Sequence, residues 1–173
     1  TMTLHALPDF THERVTTAVG RRSGLTMAVA LHSSALGPGL GGCRMWRYAH
    51  WSDGLGDVLR LSAAMTLKNA LADIGYGGGK AVIALGPDDE LDAARRTEAL
   101  HDLGDLVEQF DGAYITAEDV GTTEYDMLVV RERTKHVVGL PPEEGGEGEP
   151  ADGTAHGVFV SIERTLAELD GSA

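Results

Sequence analysis

Gly75-Tyr76-Gly77-Gly78-Gly79-Lys80-Ala81-Val82-Ile83-Ala84-Leu85 joins a long helical pattern to a short apolar run. Residues 53–74 predict a helix with Ser52 as its N-cap. Residues 80–85 are short and apolar, as a buried strand is. The glycines between them end the helix and let the chain turn. Upstream of the helix, residues 43–48 read as another strand. Further out, residues 14–19 and 25–32 are β-like and are parted by Arg21-Arg22-Ser23-Gly24, a hairpin turn. Downstream, residues 91–110 predict a second helix, with Leu100, Leu103, Val107 and Phe110 at helical spacing. A strand over 113–116 and a helix over 123–133 follow. Residues 141–153 are acidic, Gly-rich and Pro-containing, and read as a mobile loop or linker. A last helix is expected over 154–169. Strands alternate with helices, which predicts an α/β domain.

Composition narrows the function. The 173 residues are 42% apolar, enough for one globular domain with a core. No apolar run approaches the roughly 18–20 residues of a membrane span, and the first residues carry no signal-peptide pattern. The single cysteine, Cys43, excludes an intramolecular disulfide and fits a reducing compartment, so a cytoplasmic location is expected. A net charge of −13 argues against nucleic acid as a partner. No metal site and no membrane partner are expected.

Three charged residues stand out, each with two readings. Lys68 has Ala64, Met65, Leu71 and Ala72 at helical spacing around it, so it should lie on the core-facing stripe. It either snorkels to the surface or holds an anionic ligand in a cleft. Lys80 follows three glycines that leave it accessible, or it is a surface lysine after a turn. Asp119, in Ala117-Glu118-Asp119-Val120-Gly121-Thr122-Thr123, follows an apolar strand. It either lines a cleft or caps the next helix, a task Thr122 or Thr123 could share.

Two glycine motifs are decoys. A P-loop needs glycine and a hydroxyl where Ile74 and Ala81 stand. Gly37-Pro38-Gly39-Leu40-Gly41-Gly42 satisfies G-x-G-x-x-G, but a dinucleotide fingerprint opens into a helix, and this one opens into a strand.

Four segments occur in one order: Leu36-Gly37-Pro38-Gly39-Leu40-Gly41-Gly42-Cys43-Arg44-Met45-Trp46, Met65-Thr66-Leu67-Lys68-Asn69-Ala70, Gly77-Gly78-Gly79-Lys80, and residues 114–127. Together they resemble the glutamate/leucine/phenylalanine/valine dehydrogenase family, most closely its leucine and valine branch. The likeness spans residues 14–166, the family's N-terminal substrate-binding and dimerisation domain. It implies reversible oxidative deamination of an L-amino acid to a 2-oxo acid and ammonium, with NAD as cofactor. Lys68 would hold the substrate carboxylate, with the backbone of Gly41 and Gly42 beside it. Lys80 would be the acid/base that activates water, and Asp119 would carry protons to and from the amine.

The resemblance also bears on specificity. Glutamate-specific relatives place a lysine where Leu40 stands, and a leucine there would leave a side-chain carboxylate unpaired. Ala117 lines the same pocket in leucine-type members. Both imply a branched-chain L-amino acid or its 2-oxo acid as partner. Cys43 replaces the family's usual threonine, and residues 143–150 are unusually acidic. Thr154 matches the stretch that approaches the cofactor. The expected organisation is a substrate-binding and dimerisation domain over 1–153. Residues 154–173 would be an interdomain helix leading to a nucleotide-binding domain that does not follow. The alternative is a naturally truncated, non-catalytic amino-acid-binding or dimerisation module.

Lys80 is expected to open its strand, whereas Asp119 follows its own. A plain parallel arrangement would separate them. For both to line one cleft, either the sheet is mixed or the loop over 77–79 folds back; the expected fold is a mixed, mostly parallel sheet flanked by helices. A homo-oligomer is expected, with the N-terminal hairpin edge as its contact.

Overall fold

The computed structural model describes residues 11–148 and 151–171. Arg14–Val19 (β1) and Thr26–Ser33 (β2) form the antiparallel hairpin that the sequence predicts. Its turn is closed by Asp102, whose carboxylate accepts from the Arg22 and Ser23 amides at 3.1 and 2.9 Å. Gly24 in that turn adopts φ 71°, a left-handed conformation that favours glycine.

Gly39–Leu40 (β3), Cys43–Arg47 (β4), Gly77–Leu85 (β5) and Tyr114–Ile115 (β6) complete a six-stranded sheet. Its order is β1-β2-β5-β3-β6, with β4 continuing beyond β3 along the same side of β5. β2 runs antiparallel to β1 and β5, while β3 and β4 run parallel to β5, and β6 parallel to β3. The sheet is therefore mixed and mostly parallel.

Trp51–Ala72 (α1) covers one face, and Ala93–Glu108 (α2) with Glu124–Arg131 (α3) covers the other. Strand alternation sorts the core. Met27, Val29, Leu31, Cys43, Met45, Ala81 and Ile83 pack toward α2 with Leu100, Leu103 and Val107. Ala28, Ala30, Val82 and Ala84 face α1, where Val58 and Leu59 meet them. The α1 side is lined by small residues, so the helix sits close to the strands. A Cβ on Gly78 would run into the Thr66 backbone.

Some boundaries differ from expectation. The N-cap of α1 is His50, not Ser52, because the Asp53 carboxylate reaches back to accept from the His50 amide at 3.1 Å. β5 begins at Gly77, three residues before Lys80, because the glycines join the sheet rather than form a turn. Residues 141–148 are anchored rather than mobile. A single 3₁₀ turn, Pro142–Glu144, is closed by the Gly146 amide on the Pro141 carbonyl at 3.1 Å. Arg131 pairs with Glu144 at 2.7 Å. The last helix, Ala151–Leu169 (α4), starts inside the stretch expected to be loop, and buries none of its side chains. Among the described residues, no helix is long and apolar enough to cross a membrane.

Candidate active site

The register of three strands builds the site. Cys43 on β4 pairs with Ala81 on β5 and bridges to Glu118 beyond β6. Cys43 and Ala81 point into the α2-side core. Their neighbours Arg44 and Lys80, together with Asp119, form a charged group on the α1 side. Lys80 Nζ lies 2.9 Å from Asp119 Oδ2, with the two side chains 7% and 23% exposed. Lys80 does not open its strand, as expected from the sequence, but stands fourth in it. Those three extra residues bring it level with Cys43 and the end of the β6 segment, so the pair meets between parallel strands.

Asp119 is not a helix cap. Thr123 caps α3, its hydroxyl accepting from the Asp126 amide at 3.3 Å. Thr122 instead ties the Asp119 backbone to β4. Its hydroxyl accepts from the Asp119 amide and donates to the Cys43 carbonyl, both at 2.9 Å. Burial favours the neutral form of Asp119, but the Lys80 hydrogen bond and charge, the Val120 amide and Arg44 outweigh it. The carboxyl is held below its ordinary range. Burial pushes the Cys43 thiol beneath the site up to about 12, so it stays protonated and unreactive.

Sequence reasoning missed Arg44 and its partners. Arg44 Nε is 3.3 Å from Asp119 Oδ2, and Nη1 is 2.8 Å from Asp57 Oδ2. The Tyr48 hydroxyl donates to the same Asp57 oxygen at 2.9 Å, and Arg60 reaches the other at 2.6 Å. The signal was the position of Arg44 one residue past Cys43, which turns it to the opposite face. Only the strand register tells what it meets there.

Leu40, Gly41 and Gly42 thread between α1 and the Asp119 segment. A Cβ on Gly41 would strike the Gly79 carbonyl, and one on Gly42 the Glu118 carbonyl beside Asp119. The Tyr114 hydroxyl donates to the Gly41 carbonyl at 2.6 Å. Asn69, also missed from sequence, donates to the Gly77 and Leu40 carbonyls at 2.6 and 3.2 Å and pins α1 to β5 and β3. Leu40 and Ala117 are half-buried, and Ala117 accepts from the Cys43 amide at 2.8 Å.

Lys68 departs from expectation. It is exposed, not on the buried stripe, and Leu71 beside it is 91% exposed. The sheet-facing residues of α1 are Gly54, Val58, Leu59, Ser62 and Asn69. Lys68 is turned about 100° from Asn69. At this end the helix rests on glycine backbone, so the buried face needs no large apolar side chains. Lys68 therefore projects from the same turn as Asn69 and Met65, which border Leu40 and Gly41.

The glycines of 37–42 do not fit a dinucleotide. They pack against Gly75, Gly78, Gly79 and Glu118, and they lead into β4 rather than a helix. Thr154 is exposed in the first turns of α4.

Comparison with known proteins agrees with this architecture. The profile of the Glu/Leu/Phe/Val dehydrogenase dimerisation domain matches residues 10–136. Leucine dehydrogenase of Geobacillus stearothermophilus is 40% identical over 167 residues, covering 96% of this chain and 44% of that protein. Valine dehydrogenase of Streptomyces virginiae is 41% identical over 160 residues, covering 92% and 44%. The crystal structure of L-tryptophan dehydrogenase from Nostoc punctiforme superposes with a TM-score of 0.66 at 35% identity, over 74% of this chain and 37% of that one. The chain thus spans less than half the length of these relatives. With the fold, the motif order and the profile in agreement, the chain belongs to the Glu/Leu/Phe/Val dehydrogenase family, of which it contains the dimerisation domain.

Proposed function

We propose that residues 1–153 are the substrate-binding and dimerisation half of an NAD-dependent branched-chain L-amino-acid dehydrogenase. Residues 154–173, which carry most of α4, lead toward its nucleotide-binding half. The reaction takes an L-amino acid, NAD⁺ and water to the 2-oxo acid, ammonium, NADH and a proton. The observation that supports this reading is the buried Lys80–Asp119 pair at 2.9 Å, set among close-packed glycines.

The glycine motif of 37–42 does not fit the dinucleotide; NAD, which would accept the hydride, would be held by other residues, Thr154 on α4 among them. The residues of this chain manage the substrate and its protons. Lys68 holds the α-carboxylate as a point charge, with the Gly41 and Gly42 backbone beside it. Asp119 accepts a proton from the substrate ammonium. Loss of the α-hydride to NAD⁺ would leave an iminium. Lys80, as its neutral amine, takes a proton from the water that attacks that carbon. The nitrogen, given a proton by Asp119, leaves as ammonium while the new hydroxyl closes to the carbonyl.

Leu40 and Ala117 form an apolar wall for the side chain, which favours leucine, valine or isoleucine. A glutamate side chain there would be buried without a counter-charge. The leucine and valine dehydrogenases among the relatives support this choice. The protein works as a homo-oligomer, which the match to a dimerisation domain supports, and its single cysteine, Cys43, suits a reducing cytoplasm.

The test is NADH formation by the whole protein across a panel of L-amino acids. Turnover of aliphatic substrates with little on L-glutamate supports the reading. Preference for L-glutamate, or no turnover of any amino acid, contradicts it. Leu40→Lys should raise glutamate turnover relative to leucine.

A further inference from the structure

Asp119 Oδ2 is shared by two cations, Lys80 Nζ at 2.9 Å and Arg44 Nε at 3.3 Å. A lysine–carboxylate pair is already neutral, so the second cation asks for a reason. Arg44 is itself fixed from α1. Asp57 accepts its Nη1 at 2.8 Å, and Asp57 is held by the Tyr48 hydroxyl at 2.9 Å and by Arg60 at 2.6 Å. The Arg44 side chain is 22% exposed and that of Asp57 17%. Its guanidinium therefore has one position, bridging an anion on α1 and an anion at the end of the β6 segment.

Charge counting gives the consequence. When Lys80 is neutral, the Lys80–Asp119 pair alone would leave a buried anion, which draws a proton back to one of its members. With Arg44 in place, Asp119 keeps a positive neighbour whatever the state of Lys80. Arg44 cannot lose its own proton near neutrality. We infer that Arg44, braced by Asp57, is a positioning residue that holds the Asp119 carboxylate in place and negatively charged while Lys80 gives up its proton. This rests on the proton-carrying roles given above to Lys80 and Asp119. The charged and titratable groups around Asp119, among the described residues, are Lys80 from β5, Arg44 and the buried Cys43 thiol from β4, the buried Tyr114 phenol from β6, and Asp57 on α1 behind Arg44.

The experiment is a titration of Asp119 in this chain, followed through its side-chain carboxyl ¹³C resonance, in the unaltered protein and in Arg44→Met, Arg44→Lys and Asp57→Asn. Arg44→Met should raise the Asp119 midpoint by about one pH unit or more. Asp57→Asn should raise it by less, and Arg44→Lys should fall between unaltered protein and Arg44→Met. An unmoved midpoint in Arg44→Met with native β4 and β5 amide shifts would overturn the inference. Should Arg44→Met fail to fold, Asp57→Asn with Tyr48→Phe decides, since both keep Arg44; no shift in either then counts against it.

The titration needs neither substrate nor NAD, so its outcome is separate from whether the protein is a dehydrogenase. In the whole protein, Arg44→Met should lower kcat about tenfold with KM little changed, and move the acid limb of the kcat profile upward. A structural role alone would not move that limb.

Discussion

Lys80 and Asp119 meet at 2.9 Å across a strand that belongs to neither of them. β4 runs between their segments, with Cys43 paired to Ala81 on one side and bridged to Glu118 on the other. A one-residue slip of β4 would turn Arg44 to the opposite face, away from Asp119. The glycines at 41, 42, 78 and 79 keep that register, because each faces backbone or a ring where a side chain would not fit.

The glycine packing makes opposite predictions for two substitutions. A Cβ on Gly78 would meet the Thr66 backbone, so Gly78→Ala should destabilise by about 1–3 kcal/mol. A Cβ on Gly56, within α1, meets nothing within 4 Å, so Gly56→Ala should stabilise by up to about 1 kcal/mol. Urea unfolding midpoints of the two variants should move in opposite directions.

The hairpin anchor predicts an acid-sensitive stability. Burial favours neutral Asp102, but the Ser23 amide and hydroxyl and Arg22 outweigh it and hold its carboxyl below the ordinary range. The folded value is depressed, so this stabilisation is present above the unfolded value of about 3.9. It is lost as pH falls through the folded value. Asp102→Asn should flatten the acid side of a stability–pH curve, and Asp102→Ala should cost about 3 kcal/mol near neutrality. A curve unchanged by Asp102→Asn would contradict this.

Lys68 offers a clean separation of binding from folding. It is exposed, so Lys68→Met should leave the unfolding midpoint within about 0.5 kcal/mol of unaltered protein. Under the proposed role, KM for the amino acid should rise at least tenfold in the whole protein. An unchanged KM would remove Lys68 from the site.

Much of this was legible in the chain, and the misses share a cause. The hairpin follows from apolar runs and turn residues, whereas the meeting of Lys80 with Asp119, and the mixed sheet that it asks for, were implied by the family resemblance and left open by the residues alone. The burial of Lys68 was misread because a helix resting on glycine backbone hides Asn69, not a leucine stripe. The start of β5 was missed because three glycines look like a turn until Thr66 and Tyr114 fill the space beside them. Arg44 and Asp57 are joined only by register, which no local pattern of either segment encodes.

The most direct test of the account is kcat for Lys80→Met in the whole protein with a branched-chain L-amino acid. A general acid/base contributes about 10²–10⁴-fold. The account predicts a fall in kcat of at least 10²-fold while the protein stays folded and still binds substrate. A kcat within a few fold of the unaltered protein would mean that Lys80 pairs with Asp119 for structure alone.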